Sequence, residues 1–183
     1  MRLTSFAPYN LLWLIVVISG DATHLNGANM RSFIESVRSN AAVVYVGSVK
    51  EVQLLERTKF DIKARAAVDV LAVMRSPGTT PREASIKYSS YDHKTPILAG
   101  GPQYQLSPGD RIIVFANSFA STIPPGYLLQ GSCEELLQRV QALRDALGHM
   151  SADQLKLQEI NEDDRRIQLA LYDKLSAYLR TSK

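Results

Sequence analysis

Cysteine is nearly absent: Cys133 is the single thiol in 183 residues, so no intramolecular disulfide framework holds this chain. Histidine is scarce too, with only His24, His93 and His149, a scatter that does not suit a histidine metal cage. Neither sign of charge dominates: 21 Lys+Arg stand against 18 Asp+Glu, a net charge of +3. The nearest thing to a basic stripe is Arg57, Lys59, Lys63 and Arg65, which Asp61 and apolar positions interrupt. That is the pattern of a strand's wet face rather than a polyanion site, so nucleic acid is not an expected partner. No apolar run approaches the ~20 residues of a membrane-spanning helix. What is present is a core-forming chain, 45% apolar and 21% charged, long enough for one domain that buries ~70% of its unfolded surface.

The first segment reads as an address. Arg2 precedes an uncharged stretch centred on Leu11, Leu12, Trp13, Leu14, Ile15, Val16, Val17 and Ile18. This is too short to span a bilayer and suits the h-region of a signal peptide. Ser19, Gly20, Asp21 and Ala22 follow. Cleavage after Ala22 places Gly20 at −3 and cleavage after Ser19 places Val17 there; both stand open. Residues 1–22 are therefore expected to be a leader and the mature chain secreted or periplasmic, with no stable membrane span once the leader is removed. Removal deletes one charge of each sign, Arg2 and Asp21, and leaves the balance at +3.

Beyond the leader, Met30, Phe33, Ile34 and Val37 recur at helical spacing and predict a short amphipathic helix ending at Ser39 and Asn40. Residues 41–52 are rich in β-branched types and predict a strand, with Gly47 marking a bulge or bend. Over 60–74, Phe60, Ile62, Ala64, Ala66, Val68, Val70, Ala72 and Met74 alternate with a second set. That second set is charged at first (Asp61, Lys63, Arg65) and mostly apolar later (Leu71, Val73). A strand this long is expected to coil and to serve two parts of a barrel. Further strands are expected at 83–88, 111–116 and 127–129, separated by the turns Ser107-Pro108-Gly109-Asp110 and Pro124-Pro125-Gly126. Five strands with one overlong member predict a small OB-type antiparallel barrel, residues 23–131 with the short N-terminal helix included.

Residues 132–183 read as a helical extension, so the expected class is mainly β with helices appended (α+β). Ser132 and Glu135 have capping-box spacing, Leu136, Leu137, Val140, Leu143 and Leu147 share a face, and Gly148 supplies a stop. Ser151 and Gln154 form a second box, followed by Leu155, Leu157 and Ile160. Asn161 precedes Glu162, Asp163 and Asp164, acids that suit a helix N-terminus better than a calcium site. Ile167, Leu171, Leu175 and Tyr178 continue the apolar stripe. Whether 151–181 makes one helix or two stays open. The stripe is wide enough either to fold back on the barrel or to present a face to another chain.

Residues 42–52, Ala-Val-Val-Tyr-Val-Gly-Ser-Val-Lys-Glu-Val, and the long strand closing in Ala67-Val-Asp-Val-Leu-Ala-Val resemble the first two strands of the netrin-like, tissue-inhibitor-of-metalloproteinase-like superfamily. The segment 100–116, from Gly100-Gly101 through Gly109 to Phe115-Ala116, is similar to that family's run of Cys-Gly, spacer, glycine and apolar strand. Gly131-Ser132-Cys133 resembles the place of its second cysteine. The likeness covers about residues 41–135 and implies an OB-type barrel and a secreted interaction module. It departs where function is concerned. The position matching the other half of the family disulfide is Gly100, and no cysteine stands near either mature N-terminus to grip a catalytic zinc. Metalloproteinase inhibition is not carried over.

Two groups of residues stand out as candidate sites. Tyr88, Tyr91, Asp92, His93 and Tyr104 gather on the connection between the third and fourth strands, where aromatics either line a binding groove or pack at a barrel rim. Cys133 opens a capped helix, whose dipole favours a thiolate while Glu134 and Glu135 oppose it. It reads as a small buried residue, a reactive thiol or an intermolecular bridge. The chain has no Gly-x-Ser-x-Gly elbow, phosphate loop or His-Glu-x-x-His. The reading is an exported, non-enzymatic binding module with a protein ligand, without cofactor or metal. Recognition would use the aromatic loop or the helical tail. The rivals are an enzyme assembled from Asp61, Asp69, Asp92, Asp110 and His93, and a structural subunit linked through Cys133.

Overall fold

The computed structural model describes residues 38, 40–59, 61–90, 104–124 and 126–182. The expected leader, the predicted helix over 30–37, and Tyr91, Asp92 and His93 lie outside the described residues. From residue 43 onward the described residues form a curled six-stranded sheet followed by three helices. The strands are β1 (Val43–Arg57), β2 (Ile62–Arg75), β3 (Glu83–Ser90), β4 (Arg111–Ala116), β5 (Thr122–Ile123) and β6 (Leu128–Gln130). The helices are α1 (Cys133–Gly148), α2 (Ala152–Leu157) and α3 (Glu162–Thr181). Six strands rather than five is a correction to the sequence reading. The extra one is β5, two residues long, too short to leave a period-two pattern.

The sheet order is β5-β3-β2-β1-β4-β6, antiparallel throughout except that β5 runs parallel to β3. The outermost strands, β5 and β6, are consecutive in the chain. Laid flat, six strands would hold their edges ~24 Å apart, whereas the link over 124–127 reaches at most ~18 Å. Chain connectivity therefore forces the sheet to curl into a half-barrel.

Curling gives the sheet two apolar faces. Inside lie Val43, Tyr45, Val49, Ala64, Ala66, Val68, Ile86, Tyr88, Ile112 and Val114. The opposite face of β1, β4 and β6 presents Val44, Val46, Ile113, Phe115 and Leu129 to the helices. These strands are buried on both sides, hence their near-continuous apolar runs. β2 serves both cores through a bulge. Gly47 pairs with Val70 and Val46 with Ala72, so Leu71 is left without a partner. Beyond it the faces exchange: Val70 and Val73 pack inside, Ala72 and Met74 against the helices. This accounts for the apolar turn in the outer set of 60–74. Gly47 is needed at this crossing, because a Cβ there would run into Val68 Cγ1.

The helices form as their local signals require. Ser132 caps α1 with the full box, its side chain accepting from Glu135 N while Glu135 Oε2 takes Ser132 N at 2.8 Å. Ser151 and Gln154 do the same for α2. The open question over 151–181 resolves as two helices, separated at Glu159, whose φ of 55° is left-handed, and restarted by Asn161. The stripe packs intramolecularly: Leu136, Val140 and Leu147 of α1 meet Leu171, Tyr172, Leu175 and Leu179 of α3 over the sheet. Ile167 departs from expectation. Gln168 is the buried residue of that turn, held by Arg75 Nη2 at 3.3 Å, and this rotation leaves Ile167 outside the stripe.

Candidate functional site

Tyr88, from β3, and Tyr104, from the approach to β4, are brought together. Their rings meet edge to face with centroids 6.3 Å apart, at 1% and 7% exposure in the barrel interior. Tyr104's hydroxyl is fully used: it donates to Pro124 O at 2.9 Å and accepts from the N–H groups of Tyr127 at 3.1 Å and Leu128 at 3.2 Å. It thus pins the short link that draws β5 and β6 together. Burial pushes the Tyr104 phenol up, against the opposing backbone donors. Burial likewise raises Tyr88 to about 12, with Ser90 opposing, although its hydroxyl has no hydrogen-bond partner of good geometry. The interior also holds Tyr45, whose phenol burial raises further still and whose ring lies 5.4 Å from that of Phe119. This cluster is an aromatic filling of the half-barrel, with one hydroxyl serving as a latch.

Cys133 stands partly buried at the first turn of α1. Arg111, the first residue of β4, reaches it from the sheet: Nη1 donates to Cys133 Sγ and also to Ser182 O, the latter at 2.9 Å. The thiol donates to the same carbonyl at 3.4 Å. Three separate stretches, the start of β4, the start of α1 and the end of α3, therefore meet at one guanidinium. Sequence reasoning missed Arg111, and no local signal marks it, because its partners are distant in the chain.

The dispersed carboxylates do not converge among the described residues. Asp61 pairs with Lys63 at 2.5 Å, and Asp69 lies 3.9 Å from Lys50, which bonds Glu83 at 2.5 Å. Asp110 accepts from Ser107 N at 2.6 Å and Gln130 Nε2 at 2.8 Å, fixing the turn into β4. Among the described residues no three His, Cys, Asp or Glu side chains gather as metal ligands, and no helix is long and apolar enough to cross a membrane.

Five large apolar side chains are exposed among the described residues. Leu157 of α2 is 82% exposed and Ile167 of α3 is 53% exposed, on either side of the sharp corner at 158–161. Two shallow depressions flank that corner, one against Leu155 and Ile160, the other against Arg166, Leu169 and Asp173. On the sheet, Leu54, Leu55 and Leu71 are also exposed. Comparison of the chain with protein-family models, with curated proteins and with solved structures finds no match to any of them.

Proposed function

We propose that this chain is an exported, non-enzymatic interaction module: an OB-type, netrin-like barrel with a helical extension whose ligand is a protein. The pairing order supports the OB-type reading. β5 and β6 behave as two halves of one fifth strand, interrupted at 124–127, the first parallel to β3 and the second antiparallel to β4. Counted so, the six segments reduce to five strands. The netrin-like resemblance over 41–135 agrees with that order, and the apolar leader carries the export reading.

The observation that carries the binding reading is the placement of Leu157 and Ile167. Most of the extension's stripe is buried in the core with the sheet, whereas these two large apolar side chains are exposed to solvent. The three described carboxylates of the rival enzyme, by contrast, occupy turn and ion-pair positions. The experiment is affinity capture of the tagged chain from its native compartment after thiol blocking, with mass spectrometry of what co-purifies. Deleting 149–183 is unsuitable, since Leu171, Tyr172, Leu175 and Leu179 belong to the core. The expected result is a stoichiometric protein that the doublet Leu157→Ser, Ile167→Ser loses at unchanged melting temperature. Loss on Tyr91→Ala, His93→Ala instead would move recognition to the 88–104 connection. A clean monomer without a partner would reject a protein ligand.

A further inference from the structure

The outer face of the sheet divides in two. Over β1, β4 and β6 the helices cover it, whereas on β2 before its bulge, β3 and β5 it stays wet, with Lys63, Arg65, Ser85, Lys87 and Thr122 all exposed. One rung of this wet face runs Gln53, Arg65, Lys87, Thr122 across β1, β2, β3 and β5. Arg65 and Lys87 thus stand directly opposite each other on strands ~4.8 Å apart. Like charges so placed repel, and among the described residues no carboxylate pairs with either. Asp61 is held by Lys63 at 2.5 Å and Glu83 by Lys50 at 2.5 Å. Glu51 lies one rung away, across from Ala67, and Glu56 lies across from Lys63. In the sequence Arg65 ends an interrupted basic run; Lys87 joins it only through the β2–β3 ladder.

We infer that this rung docks a short acidic peptide segment, with a carboxylate seated between Arg65 and Lys87. The inference rests on the protein-ligand reading for the segment's source and adds its chemistry. A guanidinium offers a carboxylate two parallel hydrogen bonds, and an ammonium adds a compact second charge. The rest of the rung, the Gln53 amide and the Thr122 hydroxyl, supplies further donors and no acid. The surroundings favour a segment over a uniform polyanion. Nucleic acid or a sulfated polysaccharide carries charge at every step and calls for a continuous basic stripe. Here Glu51 and Glu56 border the rung on β1, and Asp61 stands at the start of β2. A peptide can set carboxylates on the rung and neutral side chains beside those acids.

The probe is a fluorescein-labelled octapeptide of alternating Glu and Gly, whose carboxylates recur every ~7 Å when extended. It is titrated with the full chain by fluorescence anisotropy at about 20 mM ionic strength, where exposed charges are little screened. The double variant Arg65→Gln, Lys87→Gln should weaken binding about tenfold or more, the scale of a lost charge-assisted contact. Arg82→Gln, which removes an exposed cation off the rung, should leave binding as it was. The double variant should also keep or raise the melting temperature, since it removes two facing cations. A chain that does not bind the peptide overturns the inference, as does a fall in melting temperature, which would show the two cations already satisfied within the molecule. Inorganic phosphate displacing the peptide as well as unlabelled peptide does would mean an adventitious ion only. Dextran sulfate competing better, charge for charge, would reassign the rung to a sulfated polymer. A captured protein that the double variant retains rejects the acidic segment and leaves the protein ligand standing. Peptide binding through Arg65 and Lys87 with no captured protein upholds the rung and rejects that ligand.

Discussion

The Tyr104 hydroxyl donates to the carbonyl of Pro124 at 2.9 Å, and through this bond a residue before β4 holds the link between the two edge strands. The same oxygen accepts from Tyr127 and Leu128, so a single phenol secures three main-chain groups of the half-barrel's closure. Tyr104→Phe keeps the ring and removes the latch. It should cost about 1 kcal/mol, since Pro124 O and Tyr127 N keep their own bond at 3.3 Å and the Leu128 N–H is the group that loses the hydroxyl, measured as a fall in the urea midpoint. An unchanged midpoint would mean the link closes without it.

Gly47 lies where β1 crosses the Leu71 bulge of β2. Gly47→Ala would press its Cβ on Val68 Cγ1 and approach Asp69 O at 3.1 Å. Overpacking of this kind costs about 1–3 kcal/mol. The double variant Gly47→Ala, Val68→Ala should be less destabilised than the sum of its single changes, since the second removes the colliding methyl. Strict additivity in denaturation would assign the cost to the backbone instead.

The interior phenols set an alkaline limit. Burial raises Tyr88 to about 12 and Tyr45 and Tyr104 above their ordinary 10.0. Between those values the folded chain holds more protons than the unfolded one, so stability is whole below pH ~10 and falls as pH climbs toward 12. Phenolate absorbance and loss of circular dichroism should rise together in this window. Tyr88→Phe should flatten the slope of stability against pH there.

At the acid end the α1 cap acts in the opposite sense. The Ser132 backbone N–H, and secondarily its side chain, hold Glu135 below its ordinary 4.5. A depressed carboxyl contributes stability that is present above pH ~4.5 and is lost as pH falls through the folded-state value. Glu135→Gln should shrink the acid-induced drop in melting temperature while leaving the neutral-pH circular dichroism spectrum as it was. A full-sized drop in the variant would place the acid sensitivity elsewhere.

Glu159 holds a left-handed φ of 55° at the corner between α2 and α3, a conformation that glycine takes without steric cost. Glu159→Gly should therefore raise stability by about 0.5–1 kcal/mol. A loss of stability would show that its side chain contributes more than its backbone costs.

Much of the secondary structure was legible because its causes are local. The strand at 111–116 keeps its predicted bounds, and all three helix starts sit at their cap residues, where a side-chain oxygen meets an amide three positions on. The candidate site was less legible. The aromatic pattern points to a groove or a rim for Tyr88 and Tyr104, and they lie in the interior, since nothing near Tyr104 in sequence tells that its partner is Pro124. Arg111 carried no signal, because a guanidinium joining Cys133 and Ser182 is a product of folding.

The sequence by itself determined the periodicities: alternation in the strands, capped helices with one apolar stripe, and a chain without disulfides to assist it. These follow from bond geometry and from burial, which act within a few residues. Only the tertiary structure decided that β2 changes faces at Leu71, that β5 and β6 meet to curl the sheet, and that Gln168 rather than Ile167 faces inward. Each depends on contacts between segments distant in the chain, where the shape of one element sets what its neighbour can bury.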